Sequence, residues 1–123
     1  MSEAPGIVIL RERIDSAELE RLVLLYFEDM VKYVVDVERG VVGLGGEMHA
    51  DAEQLLLENG SRQADLWGAN YYPGRGRDGC IEYTALINIR PAQGNRSMEI
   101  QDSSVRETVR RIVHDLIGSG ESL

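Results

Sequence analysis

The chain has few of the residues that build covalent or metal-clamped frameworks. One cysteine, Cys80, stands among 123 residues, so no internal disulfide can form and a reducing, cytoplasmic setting is expected. Only two histidines occur, His49 and His114, and no His-x-x-x-His spacing, which deprives a helix of the usual zinc-binding pair. No apolar run approaches the roughly 20 residues that cross a bilayer, so no membrane partner is expected. The start, "MSEAPGIVIL", has no basic n-region and only a short apolar run, and reads as a strand instead of a secretion signal. Repeats, low-complexity tracts and linkers are missing too. The length suits one domain, 1–123, with residues 1–5 and 118–123 as flexible tails.

Positive charge is scarce in the first half. The net charge is −8, with 5 basic and 13 acidic side chains in residues 1–60 and 8 of each in residues 61–123. An acidic half repels polyanions, so nucleic acid is not an expected partner of the whole chain. Arginine outnumbers lysine twelve to one, and no function follows from that.

What is present has clear periodicity. "GIVIL" (6–10) predicts a strand. "DSAELERLVLLYFEDM" predicts a helix, with Asp15 and Glu18 as a capping box and Leu19, Leu22, Val23 and Tyr26 on the buried face. "VKYVVDV" and "VVGL" flank Glu38-Arg39-Gly40 and predict a hairpin. A second helix is expected from about Glu47 to Asn59, stopped at Gly60, with Met48, Ala52, Leu55 and Leu56 inward. "ADLWGANYY" and "CIEYTALINI" predict two strands around the loop "PGRGRDG", the second aiming Ile81, Tyr83, Ala85, Ile87 and Ile89 one way. "SMEI" adds an optional brief strand to this order. Ser104 and Glu107 then form a second capping box for a helix carrying Val105, Val109, Ile112 and Leu116 inward. The order implies an α+β fold: an antiparallel, optionally mixed, sheet of about five to six strands packed by three helices as a single layer pair.

The stretches "GGEMHADAEQLLLENGS", "DLWGANYYP" and "INIRPAQGNRSMEI" resemble a family of small prokaryotic proteins catalogued as domain of unknown function 5674. The resemblance spans nearly the whole chain. It implies no activity, cofactor or partner, and it assigns no site residue.

Side-chain chemistry must therefore carry the functional reading. "GLGG" before a helix invites a phosphate-loop reading, but the Gly-x-x-x-x-Gly-Lys-Ser/Thr and Gly-x-Gly-x-x-Gly patterns both fail. Glu47 and Asp51 also hold the helix start against an anion, so tight strand-to-helix packing is the better account. His49 and Glu53 stand four apart and can share a helix face. They are the candidate metal pair, with Asp51 or His114 as a further ligand, although zinc usually takes three or more. Cys80 reads as a small apolar filler.

The second half holds the richer polar set: Ser61, Gln63, Trp67, Asn70, Asn88, Arg90, Asn95 and Arg96. Of these, Trp67, Asn70, Asn88, Arg90, Asn95 and Arg96 are the ligand-binding candidates, because arginine forks and amides near an aromatic ring can grip a small polar group. The same residues can equally tie down loop carbonyls. The resulting expectation is a non-enzymatic binding or interaction module that self-associates as a homodimer, with no cofactor. A metal-dependent hydrolase using His49, Glu53 and a divalent ion is the alternative. Nucleic-acid binding through Arg75, Arg77, Arg90 and Arg96 is the third reading.

Overall fold

The computed structural model describes residues 6–123, and the tail expected over residues 1–5 lies outside them. Strand β1 (Ile7–Leu10) leads to helix α1 (Ser16–Tyr26), which Asp15 caps by accepting the Ala17 N–H at 3.1 Å. Glu18 does not close the expected box. Its carboxylate pairs with Arg21 at 2.8 Å, three residues along the same helix face. The hairpin forms as the alternation predicts, with β2 (Val31–Asp36), β3 (Val41–Gly45) and Gly40 at φ 68°. Buried Asp36 locks its turn by accepting the Glu38 and Arg39 N–H groups, and it accepts the Ser61 hydroxyl at 2.6 Å. That last bond ties the hairpin to the end of helix α2 (His49–Glu58).

Strand β4 (Leu66–Tyr71), a four-residue helix α3 (Gly76–Gly79) and a two-residue strand β5 (Ile81–Glu82) follow. Helix α4 (Ser103–Leu116) closes the fold. Its cap is Asp102, not Ser104: the Asp102 carboxylate accepts the Ser104 and Val105 N–H groups, while Glu107 pairs with Arg110. A carboxylate at that position also suits the positive end of the helix dipole. The sheet has five strands in the order β1-β3-β2-β4-β5, every neighbouring pair antiparallel. The fold is α+β, as expected.

Helices cover both faces of this sheet, so it is a central layer and not half of a single layer pair. On one face Tyr33, Val35, Leu44, Trp67, Ala69 and Tyr71 meet Leu19, Leu22 and Val23 of α1 and Val109, Ile112 and Val113 of α4. On the other, Val34, Val41 and Leu66 meet Ala52, Leu55 and Leu56 of α2. The hairpin strands are apolar at both parities, and a strand buried on both sides needs two covers. Gly43 makes room for α2, since a Cβ there would lie 3.3 Å from the Leu56 side chain. Two residues expected inward are exposed instead: Tyr26 at the last turn of α1 and Met48 at the cap of α2.

The largest departure from expectation follows β5. The predicted strand over residues 80–89 pairs with β4 only at Ile81 and Glu82, and Leu86–Asn88 coil into a 3-10 turn. Ile81 and Tyr83 pack with the α1/α4 face, Ile87 packs with the α2 face, and Leu86 and Ile89 are exposed. The cause lies in Gly68. With no side chain there, Ala85 crosses the strand so closely that a Cβ on Gly68 would come within 2.7 Å of the Ala85 Cβ. The strand edge this exposes is completed by one amide. Asn88 Oδ1 accepts the Gly68 N–H and Asn88 Nδ2 donates to the Gly68 carbonyl, both at 2.9 Å. The "SMEI" segment contributes a single bridge, Thr84 to Glu99, and no strand. Beyond α4, the Gly120 N–H donates to the Tyr71 hydroxyl, and its carbonyl accepts the Gly74 and Gly76 N–H groups.

Gly68→Ala should lower the unfolding free energy by about 1–3 kcal/mol through overpacking. Asn88→Asp should cost about as much, because a carboxylate oxygen would replace the N–H donor facing the Gly68 and Met98 carbonyls. Urea unfolding measures both, and changes within about 0.5 kcal/mol would mean the crossing loop is not anchored at this point.

Candidate functional site

The opening of α2 sets the site. Gly45 and Gly46, at φ 107° and 91°, turn the chain off β3 in a conformation that side chains rarely adopt. Met48 then caps the helix with extended backbone and no side-chain bond. This places His49 in the first turn, directly above β4. Its Nε2 lies 2.9 Å from the Ala69 carbonyl and 2.9 Å from Asn70 Oδ1. Both partners are acceptors, so Nε2 carries the proton and the neutral ring keeps its lone pair on Nδ1.

Asn70 is held in that orientation from the far side. Its Nδ2 donates to Glu82 Oε1 at 2.8 Å and, at 3.5 Å, to the Thr84 carbonyl. Register extends the row, because Lys32 of β2 stands opposite Asn70, and Asn70 stands opposite Glu82 of β5. Lys32, Asn70 and Glu82 thus form a polar band across three strands of the α2 face, with His49 laid on top. Around it lies a pocket of about 410 Å³ bordered by Met30, Met48, Met98, Leu86, Ile87 and Ala50, with Thr84 at the edge. Burial pushes the His49 pKa down from 6.5, and the Lys32 ammonium adds to that. The bonds to Ala69 and Asn70 and the Glu82 charge act against it. His49 is therefore neutral at pH 7.

The residues singled out by sequence divide among three places. Asn70 and His49 meet at this pocket. Trp67, Asn88, Arg90 and Asn95 form a structural knot at the β4 edge instead. The Arg90 guanidinium stacks on the Trp67 ring, 4.5 Å from its centroid. It also donates to the carbonyls of Gln63, Leu66 and Ile87. Burial pulls the Arg90 pKa down, opposed by the charge of Glu53. Asn95 Nδ2 donates to the carbonyls of Asn88, Ser97 and Glu99, and its Oδ1 accepts the Gln101 N–H. Arg96 is exposed, with only its backbone N–H bonded, to Gln101.

Glu53 makes no bond to His49 among the described residues; its charge acts on Arg90, and its Oε2 is buried without a partner among the described residues. His114 belongs to α4, on the opposite face of the sheet from α2. No group of three or more His, Cys, Asp or Glu side chains is placed to hold a metal ion among the described residues. Cys80 is buried, and burial raises its thiol pKa. Of the loop arginines, Arg75 stacks on Tyr72 and Arg77 donates to Ser119. Sequence reasoning missed Lys32, Glu82 and the three methionines. Strand register brings Lys32 and Glu82 beside Asn70, and the methionines join from the segments flanking β2, α2 and α4, although Asn70 at an inward β4 position was a fair pointer.

Both histidines have pKa values lowered by burial. The folded state keeps them neutral while the unfolded chain takes up protons below 6.5, so stability is full above that pH and falls as pH drops. The melting temperature should be lower at pH 5.5 than at 7.5, and the difference should shrink in a His49→Gln/His114→Gln double variant. Carboxylates with lowered pKa values, such as Asp102 and Glu107, act only at more acid pH. Melting temperatures equal at the two pH values would contradict the buried neutral state.

No helix of the described residues is long and apolar enough to cross a membrane. Neither a curated protein nor a solved structure matches the chain. A family model described as "Protein of unknown function (DUF5674)" matches residues 8–116. With all of its sheet but Ile7 and the whole of its last helix inside that match, the chain belongs to the DUF5674 family.

Proposed function

We propose that this chain is a small non-enzymatic binding module whose ligand site is the methionine-lined pocket over His49, Asn70 and Lys32. One observation carries the reading: a mostly apolar cavity closes over a few convergent, oriented polar groups. That combination is typical of small-molecule sites. Methionine walls add adaptability, because unbranched thioethers repack around differently shaped guests. The exposure of Met48, Leu86 and Met98, the second of these 69% accessible, leaves an apolar rim that a ligand would cover. Buried Cys80 fits a reducing, cytoplasmic setting for this role.

Ala50 borders the pocket from the first turn of α2, so Ala50→Trp should fill it without disturbing the core. Fragment screening by protein-observed NMR should shift the His49, Asn70 and Thr84 resonances in the native chain and leave them unmoved in the variant. Fragments that bind both forms equally would rule the pocket out.

Self-association has its own support. Edge strand β1 has one strand partner, β3, and Leu24, Leu25 and Tyr26 are exposed on α1, with Leu25 and Tyr26 beside Gly6 at the start of β1. An open strand edge flanked by apolar side chains suits a second copy. Sedimentation should show a dimer that Leu25→Glu converts to monomer; a monomer in the native chain at tens of micromolar would remove this part of the reading.

A further inference from the structure

The polar atoms that border the pocket narrow the chemistry of its guest. Asn70 is largely committed: its oxygen accepts from His49 and its nitrogen donates to Glu82 and to the Thr84 carbonyl. His49 Nε2 is equally committed, to Ala69 and Asn70. The remaining ring nitrogen, Nδ1, is an acceptor with no partner among the described residues, and it is not among the atoms sealed from solvent. The charges near the floor oppose each other. Lys32 lines the pocket and would repel a cationic head, and Glu82, bonded to Asn70 Nδ2 outside the lining, would repel an anionic one beside His49. A neutral head escapes both penalties. The walls present three thioethers, which make favourable contacts with aromatic rings.

We infer that the pocket takes a neutral aromatic ligand carrying one hydrogen-bond-donating head, a phenolic hydroxyl or an indole-type N–H, with His49 Nδ1 as its acceptor. The inference rests on the pocket being the binding site, as proposed above. It also makes binding pH-dependent. Protonation at Nδ1 removes the acceptor, so affinity for a donor-headed ligand falls as the medium becomes acid enough to charge His49. The charged groups that bias this step are Lys32 from β2 and Glu82 from β5. Lys32 holds the ring neutral, and Glu82 favours the charged form.

The test uses the full chain and three probes of one shape: para-propylphenol, para-propylanisole and para-propylbenzoate, titrated by NMR at pH 7.5 and pH 5. The phenol should bind about fivefold more tightly than its methyl ether, the return from one net hydrogen bond, and the benzoate should bind most weakly. Acid should weaken the phenol and leave the ether unchanged. His49→Phe should bring phenol and ether to the same affinity. If that variant does not fold, the probe series and the pH arm in the native chain still decide. Ether and phenol binding equally, both blocked by Ala50→Trp, would overturn the donor-head inference and leave the pocket standing. Benzoate binding most tightly would overturn it in favour of an anion held by Lys32. No probe binding, or binding that Ala50→Trp does not block, would overturn the pocket reading and this inference with it.

Discussion

A side-chain amide standing in for a peptide group organises much of this molecule. Asn88 offers Gly68 one acceptor and one donor, the pair that a neighbouring strand would have supplied, so the edge of β4 is satisfied without a strand beside it. The chain is then free to leave the sheet after Glu82 and cross over the α2 face. Asn95 holds the returning segment by gathering three carbonyls, and Arg90 closes the rest of the edge from its stack on Trp67. These bonds place Leu86, Ile87 and Met98 where they become one wall of the pocket. Asn88, Asn95 and Arg90 thus hold the loop that walls the pocket, and Asn70 lies in its lining.

The floor of the site follows from a different constraint, the burial of polar groups. A charged or amide side chain on a covered sheet face must find partners across the strands. Asn70 does so, bonding Glu82 across the strands and His49 from the helix above, while Lys32 stands opposite it in register with its ammonium over the Phe27 ring. The direction of each bond is then determined. The carboxylate can only accept, so the amide nitrogen turns toward it, the amide oxygen turns toward the histidine, and the histidine donates. One ring nitrogen remains over, held neutral by its surroundings.

Much of the fold was legible in the chain. Period-two and period-three-to-four patterning placed the first strand, α1, the hairpin, α2, β4 and α4, because each buries a face whose spacing depends only on local geometry. The opposite facing of Trp67 and Asn70 was equally visible, since alternation along a strand cannot be evaded without a bulge. The segment after Cys80 was misread for a physical reason. Ile81, Tyr83, Ala85, Ile87 and Ile89 alternate as a strand does, but alternation cannot register that Gly68 leaves a gap across which the chain can step. The caps were misplaced by similar logic: Ser104 and Glu107 have box spacing, yet Asp102 is the stronger cap, and arginines three residues on from Glu18 and Glu107 capture those carboxylates.

The sequence by itself determined the class of fold, the family and the amphipathic helices, because those depend on residue type and short spacing. Tertiary structure alone decided the site. His49 is separated from Asn70 by 21 positions, Asn70 from Glu82 by 12, and Lys32 joins them only through strand register. Whether His49 turns to Glu53, its helical neighbour, or to Asn70, a strand away, depends on how closely α2 lies on the sheet. That closeness depends in turn on Gly43 having no side chain beneath it.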